Sequence, residues 1–304
     1  MTTIKPNRYR GRFAPSPTGP LHFGSMVAAV GSYLQAKSKQ GQWLVRIEDL
    51  DPPREVDGAA AAILRTLERF GLLWDESIIY QSQRNHQYDT AINRLAALGM
   101  LYPCGCSRKE ISRNGTPGAY GSIYAGTCRS GLPQGKKPRA LRIRTHNQPI
   151  TFRDPLRGTI SQQLTQEIGD FVVRRADGLF AYQLAVVVDD AEQGITEIVR
   201  GSDLLDNTPR QIYLQQSLNY PTPRYLHLPV ALDVAGKKLS KQSGALPIDH
   251  HHPQTLIHAV LEFLNQTPPI ALKESALDEM WLWAIQNWRP ERLPRQDQLA
   301  RWPD

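Results

Sequence analysis

The segment spanning residues 10–47 limits the fold of this chain more than any other part of its sequence. Residues 10–14 have strand character, and residues 15–20 must form a tight loop because three prolines and a glycine interrupt regular structure there. A helical run of small apolar residues follows at 25–39, and residues 43–47 are an apolar strand. A strand, a helix and a strand in this order predict a parallel nucleotide-binding sheet.

The rest of the chain predicts a second half of that sheet, separated from the first by an insertion. Between residues 102 and 141, glycine, proline, serine and basic residues dominate and periodicity is lost. We predict an α/β protein of Rossmann type with a helical, tryptophan-rich C-terminal tail. Helices are expected at 55–70, 85–98 and 203–218, strands at 170–175, 195–200 and 225–232, and a strand continuing into a helix at 179–188. The expected domains are 1–101, 102–180, 181–242 and 243–304.

Composition sets broad limits on the kind of protein. The 304 residues are 40% hydrophobic and 21% charged, which is enough apolar material for a core and too little charge for a disordered chain. No apolar run approaches the ~20 residues that span a bilayer, so we expect a soluble cytoplasmic protein without a membrane partner. The net charge of +7 indicates either a nucleic-acid partner or ordinary variation of surface charge.

Two short elements carry the chemistry of phosphate binding. In His22-Phe23-Gly24-Ser25, a helix N-terminus offers backbone N–H groups to an anion, and Gly24 lets a nucleotide lie close. The alternative is an ordinary helix start capped by His22. The loop Lys237-Lys238-Leu239-Ser240-Lys241-Gln242 suits a polyphosphate that gains negative charge as pyrophosphate leaves. The alternative there is a solvated basic loop.

Together the two elements resemble the His-Ile-Gly-His and Lys-Met-Ser-Lys-Ser signatures of class I aminoacyl-tRNA synthetases. Ser25 replaces the second histidine and Gln242 the last serine, and we expect Ser25 to hydrogen-bond the nucleotide or to cap the helix. The resemblance implies Mg²⁺-ATP as substrate and His22 and Lys241 as catalytic residues. It also implies an ATP site formed by His22, Gly24, Ser25, Lys238, Ser240 and Lys241.

Further blocks narrow the resemblance to glutamyl-tRNA synthetases: residues 12–19 followed by His22, then 44–51, 180–190 and 198–204. Arginine forks hold carboxylates, and an acid at a strand end can pair with the substrate ammonium. For each charged residue the alternative is a structural ion pair, and glutamine is disfavoured because it would leave an arginine unpaired. The family pattern implies a glutamate site formed by Arg12, Ala14, Ser16, Glu48, Tyr182 and Arg200.

All three cysteines, Cys104, Cys106 and Cys128, lie in the insertion, and their odd number argues against a disulfide framework. Tetrahedral zinc needs a fourth ligand, and the insertion has no histidine to supply it, so three free or buried thiols are the alternative. A core-poor insertion favours a metal that holds it together. The resemblance to the glutamyl family implies one structural zinc per chain, in a knuckle whose fourth ligand is Tyr124.

Only a short segment follows Gln242, whereas full glutamyl-tRNA synthetases carry a helical anticodon-binding domain there. We therefore expect a stem-contact-like tail and no anticodon-binding domain. With residues 46–54 this architecture is similar to the short branch, the glutamyl-queuosine tRNA(Asp) synthetases. That resemblance implies a monomeric ligase that activates L-glutamate with ATP and transfers it to the cyclopentenediol of queuosine in the anticodon loop of tRNA(Asp). The alternatives are a truncated enzyme charging the tRNA 3′ end, a non-catalytic tRNA-binding paralogue, and a nucleotidyltransferase that acts without tRNA.

Overall fold

The computed structural model describes residues 8–233, 235–239, 248 and 250–300. Within them the strands are β1 (Arg10–Phe13), β2 (Gln42–Ile47), β3 (Ile79–Tyr80), β4 (Leu101–Cys104), β5 (Thr116–Gly118), β6 (Gly121–Ile123), β7 (Ala140–Ile143), β8 (Ile150–Asp154), β9 (Gly158–Gln162), β10 (Phe171–Arg174), β11 (Glu197–Gly201), β12 (Arg224–Leu228), β13 (Ala231–Leu232) and β14 (Gln298–Leu299). The helices are α1 (Phe23–Lys37), α2 (Ala59–Arg69), α3 (Asn85–Ala97), α4 (Arg108–Asn114), α5 (Leu164–Glu167), α6 (Tyr182–Glu192), α7 (Thr208–Ser217), α8 (Pro253–Phe263) and α9 (Leu277–Gln286). No helix in these ranges is long and apolar enough to cross a membrane.

A parallel arrangement of strands forms the centre of the molecule. Strand β2 pairs in parallel with both β1 and β3, and β11 pairs in parallel with β12. The two groups meet where the Thr196 N–H donates to the Arg10 carbonyl oxygen at 2.9 Å. Strand β1 therefore lies between β2 and β11, which come from opposite halves of the sequence. In open α/β sheets, ligands bind at the carboxyl ends of strands beside such a switch in strand order.

Helix α1 is buried on nearly all sides, between this sheet and the C-terminal helices α8 and α9. Its small residues allow that, and its buried positions include Met26, Ala29 and Val30. A helix that is apolar all round belongs in the core. At Gly31 an added Cβ would lie 2.4 Å from Leu228 Cδ1, so a larger residue there would force the Leu228 side chain of β12 to move. The tight packing fixes the start of α1 against the sheet edge.

The insertion has more regular structure than its sequence indicates. Strands β4, β7 and β10 form an antiparallel sheet, β8 and β9 form a hairpin, and β5 and β6 form another. These strands are short and half-exposed, so their apolar periodicity is weak. The 3-10 turn Ser202–Asn207 delays the start of α7, and the left-handed Gly58 precedes the start of α2 at Ala59, so both helices begin later than the sequence predicts.

The strand predicted at the beginning of 179–188 is wrong. Only an isolated bridge forms there, between Phe180 and Arg174, and helix α6 begins at Tyr182. The apolar residues of α6 are buried on every side, as are Asp189 and Asp190. A short buried apolar run has no exposed face, so its periodicity does not separate a strand from a helix.

The C-terminal helices complete the core on the α1 side. The indole N–H of Trp281 donates to the Phe70 carbonyl oxygen at 2.9 Å, and that of Trp288 donates to Gln35 Oε1 at 2.8 Å. Both rings are buried, as expected for tryptophans that pack onto the core.

Candidate active site

A cavity of about 390 Å³ opens at the carboxyl ends of β1 and β11. It brings together all the described residues predicted for ATP and glutamate binding, although they come from six separate segments of the sequence. Ser240 and Lys241 lie outside the described residues. The predicted residues in its wall are Arg12, Ala14, Ser16, His22, Gly24, Ser25, Glu48, Tyr182, Arg200 and Lys238.

One end of the cavity is the start of α1. His22 is the N-cap of this helix, and its Nδ1 accepts a hydrogen bond from the Ser25 N–H at 3.3 Å. The cap is therefore His22, and the expectation that Ser25 caps the helix is wrong because Ser25 lies inside its first turn. A Cβ at Gly24 would lie 3.2 Å from the His22 ring, so glycine preserves both this cap and access to the backbone.

Lys238 stands at the mouth of the same end. Its ammonium pairs with Asp203 Oδ2 at 2.5 Å, and both side chains are partly exposed. An exposed pair of this kind contributes little to stability, so a phosphate can compete for the lysine. The next residue, Leu239, is held by a hydrogen bond from its N–H to the Ala231 carbonyl oxygen. This bond places the start of the lysine loop over the cavity.

Arg200, near the end of β11, also lines the cavity and is 4% exposed. Its guanidinium donates to Gln211 Oε1 and Thr208 Oγ1, each at 2.8 Å, and its Nε donates to His227 Nε2 at 3.2 Å. A longer contact of 3.3 Å reaches the Leu204 carbonyl oxygen. All these acceptors are neutral, and no salt bridge of Arg200 exists within the described part of the chain. A buried charge without a counter-charge is costly, so the site is suited to an anionic ligand.

A histidine and an aspartate extend this contact into the interior. His227 Nδ1 lies 2.8 Å from Asp154 Oδ2, which also accepts the His227 backbone N–H at 2.9 Å. Burial and the neighbouring Arg200 lower the pKa of His227 to about 4, so its imidazole is neutral near pH 7. We assign the ring proton to Nδ1 from these partners, which leaves Nε2 to accept from Arg200. We call Arg200, His227 and Asp154 the arginine–histidine–aspartate chain.

A buried ionic network forms the third side of the cavity. Arg12 forks onto Asp190 with contacts of 3.1 and 3.4 Å, and the fully buried Arg46 reaches Asp190 at 2.8 Å and Glu48 at 3.2 Å. Burial opposes ionisation of Asp190, yet Arg12 and Arg46 hold its pKa below the ordinary value. Arg12 thus forms a structural ion pair and lines the cavity at the same time.

Glu48 and Tyr182 also line the cavity, and the Glu48 carboxylate is near enough to Tyr182 to act on its pKa. Burial raises the pKa of Glu48, although Arg46 and Arg12 act in the opposite direction. Burial and the nearby Glu48 also raise the pKa of Tyr182, so the phenol keeps its proton. A carboxylate with an elevated pKa gains most from a cationic ligand beside it. The pair therefore presents an acceptor and a hydroxyl toward one corner of the cavity.

The three cysteines of the insertion converge away from this cavity. Their sulfur atoms lie within 4.8 Å of one another, and Cys106 Sγ and Cys128 Sγ are 3.6 Å apart. Tetrahedral Zn–S bonds of about 2.3 Å place two sulfurs about 3.7 Å apart, so the spacing fits zinc. Tyr124 Oη lies 3.4 Å from Cys104 Sγ and 3.9 Å from Cys106 Sγ. The predicted ligand set is thus assembled, and the metal itself remains a prediction.

The surroundings of the cluster favour thiolate at one position. Burial acts against ionisation of Cys104, but hydrogen bonds with Tyr124, the Cys106 backbone and Arg142 lower the pKa of its thiol to about 7. Burial and Cys104 raise the pKa of Tyr124, so coordination by a phenolate requires the charge of a metal to offset them.

Several polar residues around the site carried no role in the sequence prediction, among them Arg46 and Asp190 of the buried ionic network. His227 and Asp154 complete the chain behind Arg200, and Asp203 pairs with Lys238. His227 had a signal, since it is a polar residue inside the apolar strand β12. Asp154 and Asp203 had none, because single acids at strand ends and helix starts are common in any chain.

The fold and the cavity define a class I aminoacyl-tRNA synthetase core. Residues 8–263 match the family described as tRNA synthetases class I (E and Q), catalytic domain, and the chain belongs to this family. Within it, the chain groups with proteins named glutamyl-Q tRNA(Asp) synthetase. The relative from Dechloromonas aromatica is 54% identical over 290 residues, covering 95% of this chain and 96% of the relative. The relative from Aromatoleum aromaticum is 53% identical over 288 residues, covering 95% and 91%.

Solved structures show the same fold. The glutamate-tRNA synthetase from Elizabethkingia anophelis superposes with a TM-score of 0.81 at 25% identity, covering 96% of this chain and 68% of that one. A glutamate tRNA ligase from Elizabethkingia meningosepticum, solved in complex with its amino acid, gives the same TM-score over 97% of this chain and 67% of its own. The prediction of a class I synthetase α/β fold with a parallel sheet is confirmed.

Proposed function

We propose that this protein activates L-glutamate with Mg²⁺-ATP and transfers the glutamyl group to a hydroxyl of the cyclopentenediol of queuosine in the anticodon loop of tRNA(Asp). Arg200 carries the glutamate part of this proposal, because its buried guanidinium has only neutral partners among the described residues and lines the cavity. The name shared by the relatives supports the acceptor.

Glutamate fits between Arg200 and Glu48. The side-chain carboxylate takes the missing counter-charge position at Arg200, which discriminates against a neutral amide. The ammonium lies at Glu48, and the Tyr182 hydroxyl donates a hydrogen bond beside it. Arg12, Ala14 and Ser16 form the wall along which the α-carboxylate points toward the nucleotide.

ATP binds at the start of α1. Because His22 Nδ1 accepts the cap hydrogen bond, the neutral ring carries its proton on Nε2, and this N–H is the donor for a phosphate. Gly24 and Ser25 offer the backbone and a hydroxyl, and Lys238 contributes positive charge with Ser240 and Lys241 of the lysine loop. A glutamate carboxylate oxygen attacks the α-phosphorus, the bond to pyrophosphate breaks, and the lysines stabilise the charge of the leaving group.

Zinc has a structural role in this proposal. Cys104, Cys106, Tyr124 and Cys128 hold it, and four protein ligands leave no position for a substrate. When bound, the ion supplies cross-links between segments of the insertion. Residues 102–180 then act as the connective insertion between the catalytic halves 1–101 and 181–242, with 243–304 as the tail. The enzyme works as a monomer in the cytoplasm, and its net positive charge attracts the tRNA phosphates.

Two assays test this function in sequence. Glutamate-dependent ATP–pyrophosphate exchange is expected, with glutamine at least 100-fold poorer as substrate. With labelled glutamate, nuclease digestion of charged tRNA(Asp) should place the label on the anticodon-loop fragment. Label on the terminal adenosine would instead identify a truncated synthetase, and the absence of exchange would identify a non-catalytic paralogue.

A further inference from the structure

A second, smaller cavity of about 70 Å³ adjoins the active-site cavity. It shares three lining residues with the first: Ser16, Glu48 and Tyr182. Its remaining wall comes from the loop after β1, the loop after β2, the segment before α3 and the segment between β10 and α6. These residues are Thr18, Leu50, Asp51, Arg54, Glu55, Gln81, Arg175 and Phe180.

The three shared lining residues show which part of the active site the second cavity adjoins. Ser16, Glu48 and Tyr182 belong to the glutamate end of the active site, whereas His22, Gly24 and Lys238 line only the first cavity. The acceptor hydroxyl must reach one face of the acyl carbonyl of glutamyl adenylate while the nucleotide stays bound. The second cavity borders the glutamate end and shares none of the lining residues at the start of α1, so an acceptor placed in it does not have to pass the ATP site.

The charges in the second cavity favour a small cationic group with hydroxyls. Asp51 pairs with Arg175 at 3.1 Å and with Arg54, and Arg175 also pairs with Asp177 at 2.6 Å, so two arginines face two aspartates here. Glu55 differs, because its Oε1 is buried and has no hydrogen-bond partner in the described part of the chain. Burial and the nearby Asp49 raise the pKa of Glu55. An ammonium or hydroxyl donor beside Glu55 would satisfy that oxygen.

Beyond Arg175 the surface changes from acidic to basic. Arg175 is also part of an open depression of about 240 Å³ whose wall includes Arg139 and Arg174. Arginine is suited to phosphate because its planar fork can bind two oxygens. If the cyclopentenediol ring of a nucleotide lies in the second cavity, the flanking backbone phosphates therefore have a basic surface beside them.

We propose that the second cavity is the acceptor subsite, in which Glu55 binds the diol and the neighbouring secondary ammonium of the queuosine side chain while Arg175 and Arg139 face the flanking phosphate. This inference rests on the proposed function. In the transfer step the ring hydroxyl oxygen forms an ester bond to the glutamyl carbonyl carbon, and the bond from that carbon to the AMP oxygen breaks. AMP leaves with the bonding electron pair, and the hydroxyl proton passes to its phosphate.

Glu55→Gln separates this subsite from glutamate activation. The amide keeps the size of the side chain but removes the charge that the acceptor ammonium needs. Transfer of glutamate to queuosine-containing tRNA(Asp) is expected to fall about tenfold or more in kcat/KM for tRNA. Exchange of pyrophosphate with ATP should stay within about twofold of the wild type and also reports correct folding. Glu68→Gln, an exposed acid on α2 that does not line either cavity, is the matched control and should change neither rate.

A binding experiment tests the acceptor subsite independently of the transfer rate. The wild type should bind queuosine-containing tRNA(Asp) more tightly than a transcript with guanine at that position, and Glu55→Gln should lose the difference. Normal transfer by Glu55→Gln would overturn the subsite, as would an equal loss of exchange and transfer, since Glu55 would then act on activation. Failure of the wild type to exchange pyrophosphate would reject the proposed function itself, before any variant is compared.

Discussion

The Nε atom of Arg200 lies 3.2 Å from Nε2 of His227, and the imidazole accepts this hydrogen bond only while it is neutral. Asp154 holds the other ring nitrogen, so the ring cannot turn to offer a proton to Arg200. A second cation beside a buried guanidinium would also repel it. The orientation of the proposed carboxylate-binding arginine therefore depends on two residues that do not line the cavity.

His227→Gln and His227→Ala should raise the KM for glutamate by about 10- to 100-fold, with a smaller effect on kcat, because they release Arg200 from its fixed orientation. ATP–pyrophosphate exchange at varied glutamate concentration measures both constants. The KM for ATP should change little, which a general loss of folding would not produce. His146→Gln, at an exposed histidine in the insertion, serves as the control. An unchanged KM for glutamate in both His227 variants would contradict a positioning role.

The same histidine makes stability depend on pH. Its pKa falls from 6.5 to about 4 on folding, so below pH 6.5 the unfolded chain takes up a proton that the native protein does not. Stability is thus complete above pH 6.5 and is lost as the pH falls toward 4. Between pH 7 and pH 5 we expect a loss of about 2 kcal/mol from this group. Urea unfolding at both pH values measures it, and His227→Gln should show a smaller difference than the wild type.

Asp190→Asn should destabilise the protein by about 3–5 kcal/mol, because it removes the buried counter-charge of both Arg12 and Arg46. Asp89→Asn breaks an ion pair with Arg174 in which both side chains are 39–46% exposed, and it should cost less than about 1 kcal/mol. Chemical denaturation compares the two variants under one set of conditions. Equal effects would show that burial does not set the strength of these pairs.

Cys128→Ala should lower the zinc content well below one ion per chain and reduce the melting temperature, because one thiolate of the proposed site is lost. Tyr124→Phe should weaken zinc binding without abolishing it. Tyr120→Phe changes an exposed tyrosine of the same insertion and should have no effect. Elemental analysis after dialysis against a chelator gives the metal content. Zinc retention by Tyr124→Phe equal to that of the wild type would remove Tyr124 from the ligand set.

The residues that line the active-site cavity could be predicted because they sit at loops and strand ends with local chemistry of their own. Arg200 and His22 are examples: one is an arginine that ends a strand, the other precedes a helix of small residues. The strand–helix–strand unit was equally visible, since its turn residues and apolar runs are short-range signals.

The environment of those residues could not be predicted in the same way. Asp154 and His227 are 73 positions apart, and only the docking of the β8–β9 hairpin on β12 brings them together. Helix α6 was misread at its start because burial on every side removes the contrast between faces. Tertiary packing decided both features. The periodicity of a single sequence indicates packing only for helices and strands that have one buried and one exposed face.

The hydrogen bond from Thr196 to the Arg10 carbonyl oxygen joins positions 186 residues apart. As the ribosome releases the chain from its N-terminus, β1 can pair with β2 early, but its other edge has no neighbour until β11 emerges. The central strand of the finished protein is therefore an open edge for most of its synthesis, and open edges recruit foreign strands. Protection of the nascent chain by chaperones matters most during that interval.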